Sequence, residues 1–232
     1  MDPFLNLRLT RKNIDRFHIR SKIHEFVLSN IGSLYGNVLD VGCGRMPYKD
    51  LITNNLNVKN YIGLDIETAI DYGGSKPDIY WQADKIPLAN NDIDCAFATE
   101  VLEHCPEPKQ ILSEINRVLK PQGFFFGTVP FLWPLHEVPH DAFRYTPFTL
   151  TRLLEETGFE NITIKAHGGW NAAVAQMLGL YIKRGIKSKL IAFILSIVCY
   201  PIIYILLKTD NVNNNFSEST MHTGFSIVAF KK

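Results

Sequence analysis

An excess of either charge is missing from this chain. Its 232 residues carry 24 Lys and Arg against 23 Asp and Glu, a formal net charge of +1. No basic field exists to draw in a nucleic-acid backbone, so nucleic acid is not an expected partner. Cysteine is scarce as well. The four that occur, Cys43, Cys95, Cys105 and Cys199, form no C-x-x-C pair, which removes zinc-ribbon and thiol-redox spacings. Residues 1–10 lack the pattern of a secretory signal, so the cysteines read as reduced thiols and the protein as cytoplasmic. No internal repeat is visible, and only one long apolar run occurs, at residues 190–207.

What the chain does have is a strand that ends in an acidic residue and a glycine turn, Asn37-Val38-Leu39-Asp40-Val41-Gly42-Cys43-Gly44. Val38, Leu39 and Val41 are the side chains that a strand covered on both faces requires. Gly42 and Gly44 allow a sharp turn and a close approach of backbone to ligand. A strand-to-helix turn also aims free N–H groups outward. About 20 residues on, the spacing of a βαβ nucleotide unit, Tyr61-Ile62-Gly63-Leu64 leads into Asp65. A carboxylate there can accept hydrogen bonds from both ribose hydroxyls. The dinucleotide fingerprint needs a third glycine three positions after the second, and Pro47 stands there instead.

With Asp40 ahead of its glycines, this run resembles the first motif of class I S-adenosylmethionine (SAM)-dependent methyltransferases. The resemblance extends through Asp94-Cys-Ala-Phe-Ala-Thr-Glu-Val-Leu-Glu-His104, which is similar to the family's fourth motif. It implies SAM as cofactor, with Asp40, Gly42, Gly44, Asp65 and Thr99 around it and Asp84 holding the adenine amino group. By itself Asp84 reads as a turn-capping residue. The fold expected is an α/β, doubly wound, Rossmann-like sheet of seven strands with the last antiparallel, plus a helical apolar insertion before that strand.

Taken in order, residues 11–30 read as a helix, closed by Gly32 and Gly36. Pro47 suits the first turn of a short helix running through Leu51. Residues 78–82 read as a third strand, 93–98 as a fourth and 124–129 as a fifth. Between the last two, Ile111, Leu112, Ile115, Val118 and Leu119 recur at helical spacing. Thr146 and Pro147 open another helix, and Ile162, Ile164 and Ala166 alternate as a sixth strand. The last strand, 224–230, arrives only after an amphipathic helix, a basic link (Lys183, Arg184, Lys187, Lys189), the apolar run and an Asn-rich segment, 211–223, that reads as a mobile loop. The organisation is therefore a helical cap (1–36), a SAM-binding core (37–166), an apolar insertion (167–223) and the final core strand (224–232).

The candidate chemistry lies in the loop after the fifth strand, Pro130-Phe-Leu-Trp-Pro-Leu-His136-Glu-Val-Pro-His140-Asp-Ala-Phe-Arg144-Tyr145-Thr146. Loops of this length between elements are commonly functional. This one resembles the segment after the fifth strand in methyltransferases associated with bacterial surface glycans, which implies a sugar or other small polar, lipid-linked or free, acceptor. A hydroxyl nucleophile needs a base, and His136 is the first candidate, with His140 the second. Arg144 either clamps a phosphate or carboxylate on the acceptor or pairs with Asp141 or Glu137. Certain O-methyltransferases of this fold hold a divalent cation with a run like Glu100-x-x-Glu103-His104 plus a later His. Many metal-free relatives share that wording, so no metal ligand is assigned. The rival function is a SAM-fold protein that has lost catalysis and serves as a binding or membrane scaffold; a dehydrogenase is a distant third. Residues 190–207 are expected to meet a membrane peripherally or to pack as a lid without spanning, since Pro201 should kink the run and one crossing would strand the last sheet strand on the far side.

Overall fold

Seven strands form one sheet whose order reverses beside the glycine turn. The computed structural model describes Leu5 and residues 7–66, 76–82 and 84–232. Strands β1 (Gly36–Val41), β2 (Val58–Ile66), β3 (Ile79–Trp81), β4 (Ile93–Thr99), β5 (Leu119–Pro130), β6 (Phe159–His167) and β7 (Gly224–Lys231) lie in the order β3-β2-β1-β4-β5-β7-β6. β1 pairs in parallel with β2 and β4, β2 with β3, and β4 with β5. The last strand is antiparallel. Helices are α1 (Phe17–Ile31), α2 (Lys49–Thr53), α3 (Pro108–Val118), α4 (Pro147–Glu156), α5 (Trp170–Leu180) and α6 (Lys189–Lys208). Strand order reverses between β1 and β4, and ligands of open α/β sheets bind outside the carboxyl ends of strands at such a point.

The chain divides into two compact units. The larger holds Val27–Val129, Pro134–Ile164 and Ser226–Lys232. Its centre is the run of β-branched, aliphatic and aromatic side chains read from the sequence: Val38, Leu39, Val41, Ile93, Phe97, Phe125 and Phe126 are all fully buried. Phe97 and Phe126 stack with ring centroids 5.1 Å apart. Ile111, Leu112, Ile115 and Val118 are the buried face of α3. The Thr146 hydroxyl accepts the Thr149 N–H at 3.3 Å, and Pro147 takes the first position of α4.

The smaller unit holds Met1–Phe26, Pro130–Trp133 and Lys165–Phe225. In it α5 and α6 are joined by a wide helical turn, Tyr181–Gly185. Ile14, Ala175, Ile182 and Ile203 are buried together, with Leu178, Leu195, Cys199, Leu206 and Leu207 packed on them. The Asp210 carboxylate accepts the N–H groups of Gly169 and Ala172, both at 2.9 Å, so a residue beyond α6 caps the start of α5.

Several local expectations are corrected. The first helix starts at Phe17 rather than residue 11, because the Asn13 side chain turns back to accept the Thr10 N–H at 2.8 Å and to donate to the Arg8 carbonyl. Helix α2 begins at Lys49, two residues after Pro47. β5 reaches back to Leu119, so the strand follows α3 directly and runs through Pro121 and Gly123. Helix α6 continues from Lys189 to Lys208 through Pro201, which stands on the exposed side. The Asn-rich segment is tied down. Asn214 Oδ1 accepts the Ala166 N–H at 2.8 Å, and the Thr223 N–H donates to the His167 carbonyl at 2.7 Å.

Candidate active site

Every group of the site described here lies in the larger unit. At the end of β1 the chain turns through Gly42, whose φ is +68°, and Gly44, at +49°. A Cβ on Gly42 would lie 2.5 Å from Val101 Cγ2, so both conformation and space demand glycine there. The N–H groups of Gly42 and Cys43 donate to the Leu64 carbonyl, which fixes the turn against the end of β2. Asp65 is buried there. Its Oδ2 accepts the Gly44 N–H and its Oδ1 the Ile66 N–H, both at 2.8 Å. Each oxygen retains a lone pair, enough to accept a hydroxyl apiece. Asp40 is not part of this cradle's hydrogen bonding: its carboxyl is buried and takes the Tyr61 hydroxyl. Burial pushes Asp40 up to about 8, against the pull of that hydrogen bond.

Beyond β4 and β5 lies a polar cluster. Glu100 follows Thr99 and is held at φ +55°, a conformation that costs a side-chain-bearing residue free energy and persists only when its surroundings insist. They do: its N–H donates to the Thr128 carbonyl at 3.0 Å, and its Oε1 accepts the Thr128 hydroxyl at 2.9 Å. Burial raises Glu100 to about 7. Glu103, in the tight turn Leu102–His104, is completely buried, and neither carboxyl oxygen has a hydrogen-bond partner among the described residues. Burial first, then the neighbouring Glu100, hold it well above the ordinary carboxylate range.

The loop after β5 folds onto that turn, since the N–H groups of Ala142 and Phe143 donate to the Glu103 carbonyl at 2.8 and 3.1 Å. Asp141 organises the loop. Its Oδ1 and Oδ2 take both terminal nitrogens of Arg144, at 2.6 and 2.8 Å, and Oδ2 also accepts the His136 N–H at 3.0 Å and faces His136 Nδ1 at 3.1 Å. The Arg144 guanidinium holds Asp141 far below the usual carboxylate range. Facing a carboxylate, Nδ1 of His136 carries the proton, which leaves Nε2 with a free lone pair. Burial, and then His104, depress the His136 pKa and keep the ring neutral. The His104 ring lies edge-on to it, centroids 4.7 Å apart, with its own Nδ1 against the His140 carbonyl at 3.2 Å. One ligand-type atom each from Glu103, His104 and His136 falls within 4.8 Å of the others.

Residues 39–127 match the methyltransferase domain family. The core of the chain is a class I SAM-dependent methyltransferase domain. Over 114 residues the chain is 37% identical to a sterol 24-C-methyltransferase of Gibberella zeae, a stretch covering 44% of this chain and 30% of that one. Over 119 residues it is 32% identical to a ubiquinone biosynthesis O-methyltransferase of Idiomarina loihiensis, covering 45% and 47%. The chain thus spans less than half the length of these curated relatives. In fold it is similar to a SAM-dependent methyltransferase of Archaeoglobus fulgidus, with a TM-score of 0.57 at 18% identity, over 97% of this chain and 96% of that one.

Within the methyltransferase domain the residues singled out from the sequence divide into three groups. Gly42, Gly44 and Asp65 form one cradle, a tight turn tied to the end of β2 beside a buried carboxylate whose spare lone pairs suit a ribose diol. Thr99 ends β4 opposite Thr128, and Asp84 is exposed, its Oδ1 accepting the Lys85 N–H at 2.6 Å. His136 and Arg144 come together through Asp141. His140 contributes its backbone carbonyl, to His104. Of the roles left open for Arg144, its contacts are those of pairing with Asp141; it also donates to the carbonyls of Phe143 and Pro134. Sequence reasoning missed Asp141 as the hub and Glu103 as a buried carboxyl without a hydrogen bond. The first carried a weak signal, its place between His136 and Arg144; the second carried none, because burial is a tertiary property.

Proposed function

We propose that the chain is a SAM-dependent methyltransferase that O-methylates a hydroxyl of a sugar or another small polar acceptor. The observation that carries this is the His136–Asp141–Arg144 array, which presents a neutral imidazole with a free Nε2. When bound, SAM supplies an electrophilic methyl on a sulfonium with a neutral leaving group. What the protein must add is position and a base. Asp65 and the Gly44 turn hold the ribose, which sets where the methyl sits; the acceptor hydroxyl must lie about 3 Å from it and in line. His136 Nε2 takes the hydroxyl proton as the bond to carbon forms. Asp141, kept ionised by Arg144, stabilises the imidazolium that results and holds the ring in the right tautomer. A lipid-linked sugar, met through peripheral contact of residues 190–207 with the cytoplasmic face of a membrane, is the acceptor class that also fits the apolar insertion. The test is transfer of labelled methyl from SAM into fractionated extract of the source cells. His136→Ala should bind SAM normally and lose about 10²–10⁴-fold in rate; a near-normal rate would remove His136 from the mechanism.

A second reading has its own observation. Glu103, His104 and His136 combine a buried carboxyl that makes no hydrogen bond among the described residues with two imidazoles whose Nδ1 atoms are oriented by a carbonyl and a carboxylate, the outer support typical of metal-binding histidines. A divalent cation there would polarise the acceptor hydroxyl and make a separate base unnecessary. Chelator treatment of the active protein separates the two: activity that survives complete chelation supports the His136 base.

A further inference from the structure

The exposed surface of the smaller unit is unlike that of a water-soluble helix pair. Helix α6 is long and apolar enough to cross a membrane, with a mean hydropathy of 2.7, yet only 11% of that stretch is buried. Its two sides differ in environment, not in polarity. Ser196 and Ile203 are buried on one side, with Leu195, Cys199, Leu206 and Leu207 packed beside them. Leu190, Ile194, Ile197, Val198, Ile202 and Ile205 form an exposed strip on the other, between 43% exposed at Ile197 and 68% at Leu190. On α5 and at the start of the turn after it, Trp170, Val174, Met177 and Tyr181 recur at three- and four-residue steps and are each half or more exposed. An apolar strip left open to water on two neighbouring helices marks an interaction surface.

Charge decides what covers it. Between Glu160 and Asp210 there is no acidic residue, while Lys183, Lys187, Lys189 and Lys208 are all exposed. Alongside, Arg8 and Arg11 line a cavity with Leu9, Thr10 and Tyr200, and the Arg11 guanidinium lies 5.9 Å over the ring of Phe193, on the exposed side of α6. A second copy docked through a two-fold contact would bring like charges together. An anionic surface with an apolar interior complements both features, and exposed Trp170, Tyr181 and Tyr204 are the types that favour a lipid–water boundary.

We propose that this face binds an anionic phospholipid bilayer as a monotopic surface. Helix α6 lies in the plane of the membrane, its exposed strip among the upper acyl chains. The flanking lysines, with Arg8 and Arg11 in their notch, meet the phosphates. It does not span. Ser196 and Ile203 are packed inside the unit, and β7, which follows α6, lies between β5 and β6 in the sheet; a single crossing would leave β7 on the far side from its partners. The inference does not rest on methyl transfer.

The experiment is sedimentation of the full chain with phosphatidylcholine vesicles, with and without about a third of phosphatidylglycerol. The expected result is binding to the anionic vesicles, weakened by salt and weak or absent on neutral ones. Ile197→Glu/Ile205→Glu should abolish it. Lys187→Ala/Lys189→Ala, which disturbs no packed group and so keeps the fold, should weaken it roughly thirty-fold at about one surface lysine's contribution each. Arg8→Ala/Arg11→Ala should weaken it by a similar factor. Equal binding to both vesicle types, or binding indifferent to the lysine pair, would overturn the electrostatic part and with it the proposal. A chain that ignores both vesicles, as a monomer or as a dimer dispersed by Ile197→Glu/Ile205→Glu, also overturns it, the dimer assigning the face to a second copy.

Discussion

Asp141→Asn is the sharpest perturbation of the candidate site, because one carboxylate serves both His136 and Arg144. The substitution keeps the shape and removes the charge. Four hydrogen bonds converge on the Asp141 side chain, two from Arg144 and two from His136. Its side chain is 1% exposed and that of Arg144 22%. Removing one partner of a buried ion pair costs about 3–5 kcal/mol. Arg144 keeps some access to water, so the lower end applies, about 3 kcal/mol. For a chain of this size each kcal/mol shifts the melting temperature by about 2–4 °C, which gives a fall of about 6–12 °C at neutral pH. The pH dependence fixes the origin of that loss. Arg144 depresses the Asp141 pKa, so the wild-type advantage is complete above the unfolded value near pH 4. It must shrink as pH falls further and the carboxylate takes up its proton. Rate should respond separately. An amide at position 141 no longer imposes the Nδ1-protonated tautomer or stabilises the imidazolium, and turnover should drop by about 10²–10⁴-fold with SAM affinity intact. Thermal unfolding across pH and labelled-methyl transfer measure the two effects. A melting temperature within about 2 °C of wild type, together with an unchanged rate, would show that the His136–Asp141–Arg144 array does neither job.

Three further outcomes are expected. Asp65→Ala removes the acceptor at the ribose and the lock on the Gly44 N–H, and calorimetry should show SAM binding weakened about ten- to a hundred-fold, or more if the turn opens; unchanged affinity would take Asp65 out of the cofactor site. If Glu103, His104 and His136 hold a divalent cation, added metal should raise the melting temperature of the chelated protein, and Glu103→Gln should erase that rise without affecting SAM binding; no shift with any divalent ion would dismiss the metal reading. His18 is buried with its Nε2 on the Thr223 hydroxyl, and burial lowers its pKa to about 4. Its neutral form is favoured on folding, so that stability is complete above the unfolded pKa near 6.5 and declines as pH falls toward 4, by about 3 kcal/mol for the full shift. Acid unfolding of His18→Gln should lack that part of the slope.

Local rules carried much of the fold. The run from Val38 to Gly44 needs only short-range chemistry, a buried strand and a turn whose positive φ at Gly42 and Gly44 favours glycine. The periodic apolar residues of α3 and the Thr146-Pro147 start of α4 depend likewise on neighbours a few positions away. What failed locally was decided by side chains reaching across sequence or outward to water. Asn13 turned back on Arg8 and Thr10 and shortened the first helix, and Asn214 tied a segment of mobile-loop composition to Ala166.

The sequence alone also put the Gly42–Gly44 turn and Asp65 side by side, because a parallel sheet brings strand ends and the turns after them to one edge whatever the loops do. It could not determine the chemistry of the loop after β5. There His136 was the first candidate base and His140 the second, and Arg144 was either an acceptor clamp or a pairing partner within the loop. Only the folded loop gave Asp141 to both His136 and Arg144 and set the His140 carbonyl against His104, and only burial left the Glu103 carboxyl without a hydrogen bond. The same holds for residues 190–207: hydropathy marks them as apolar, but whether an apolar residue faces protein or solvent depends on what packs against it. Ile203 and Ile205 are chemically identical and two positions apart, and tertiary packing sends one inward and the other out.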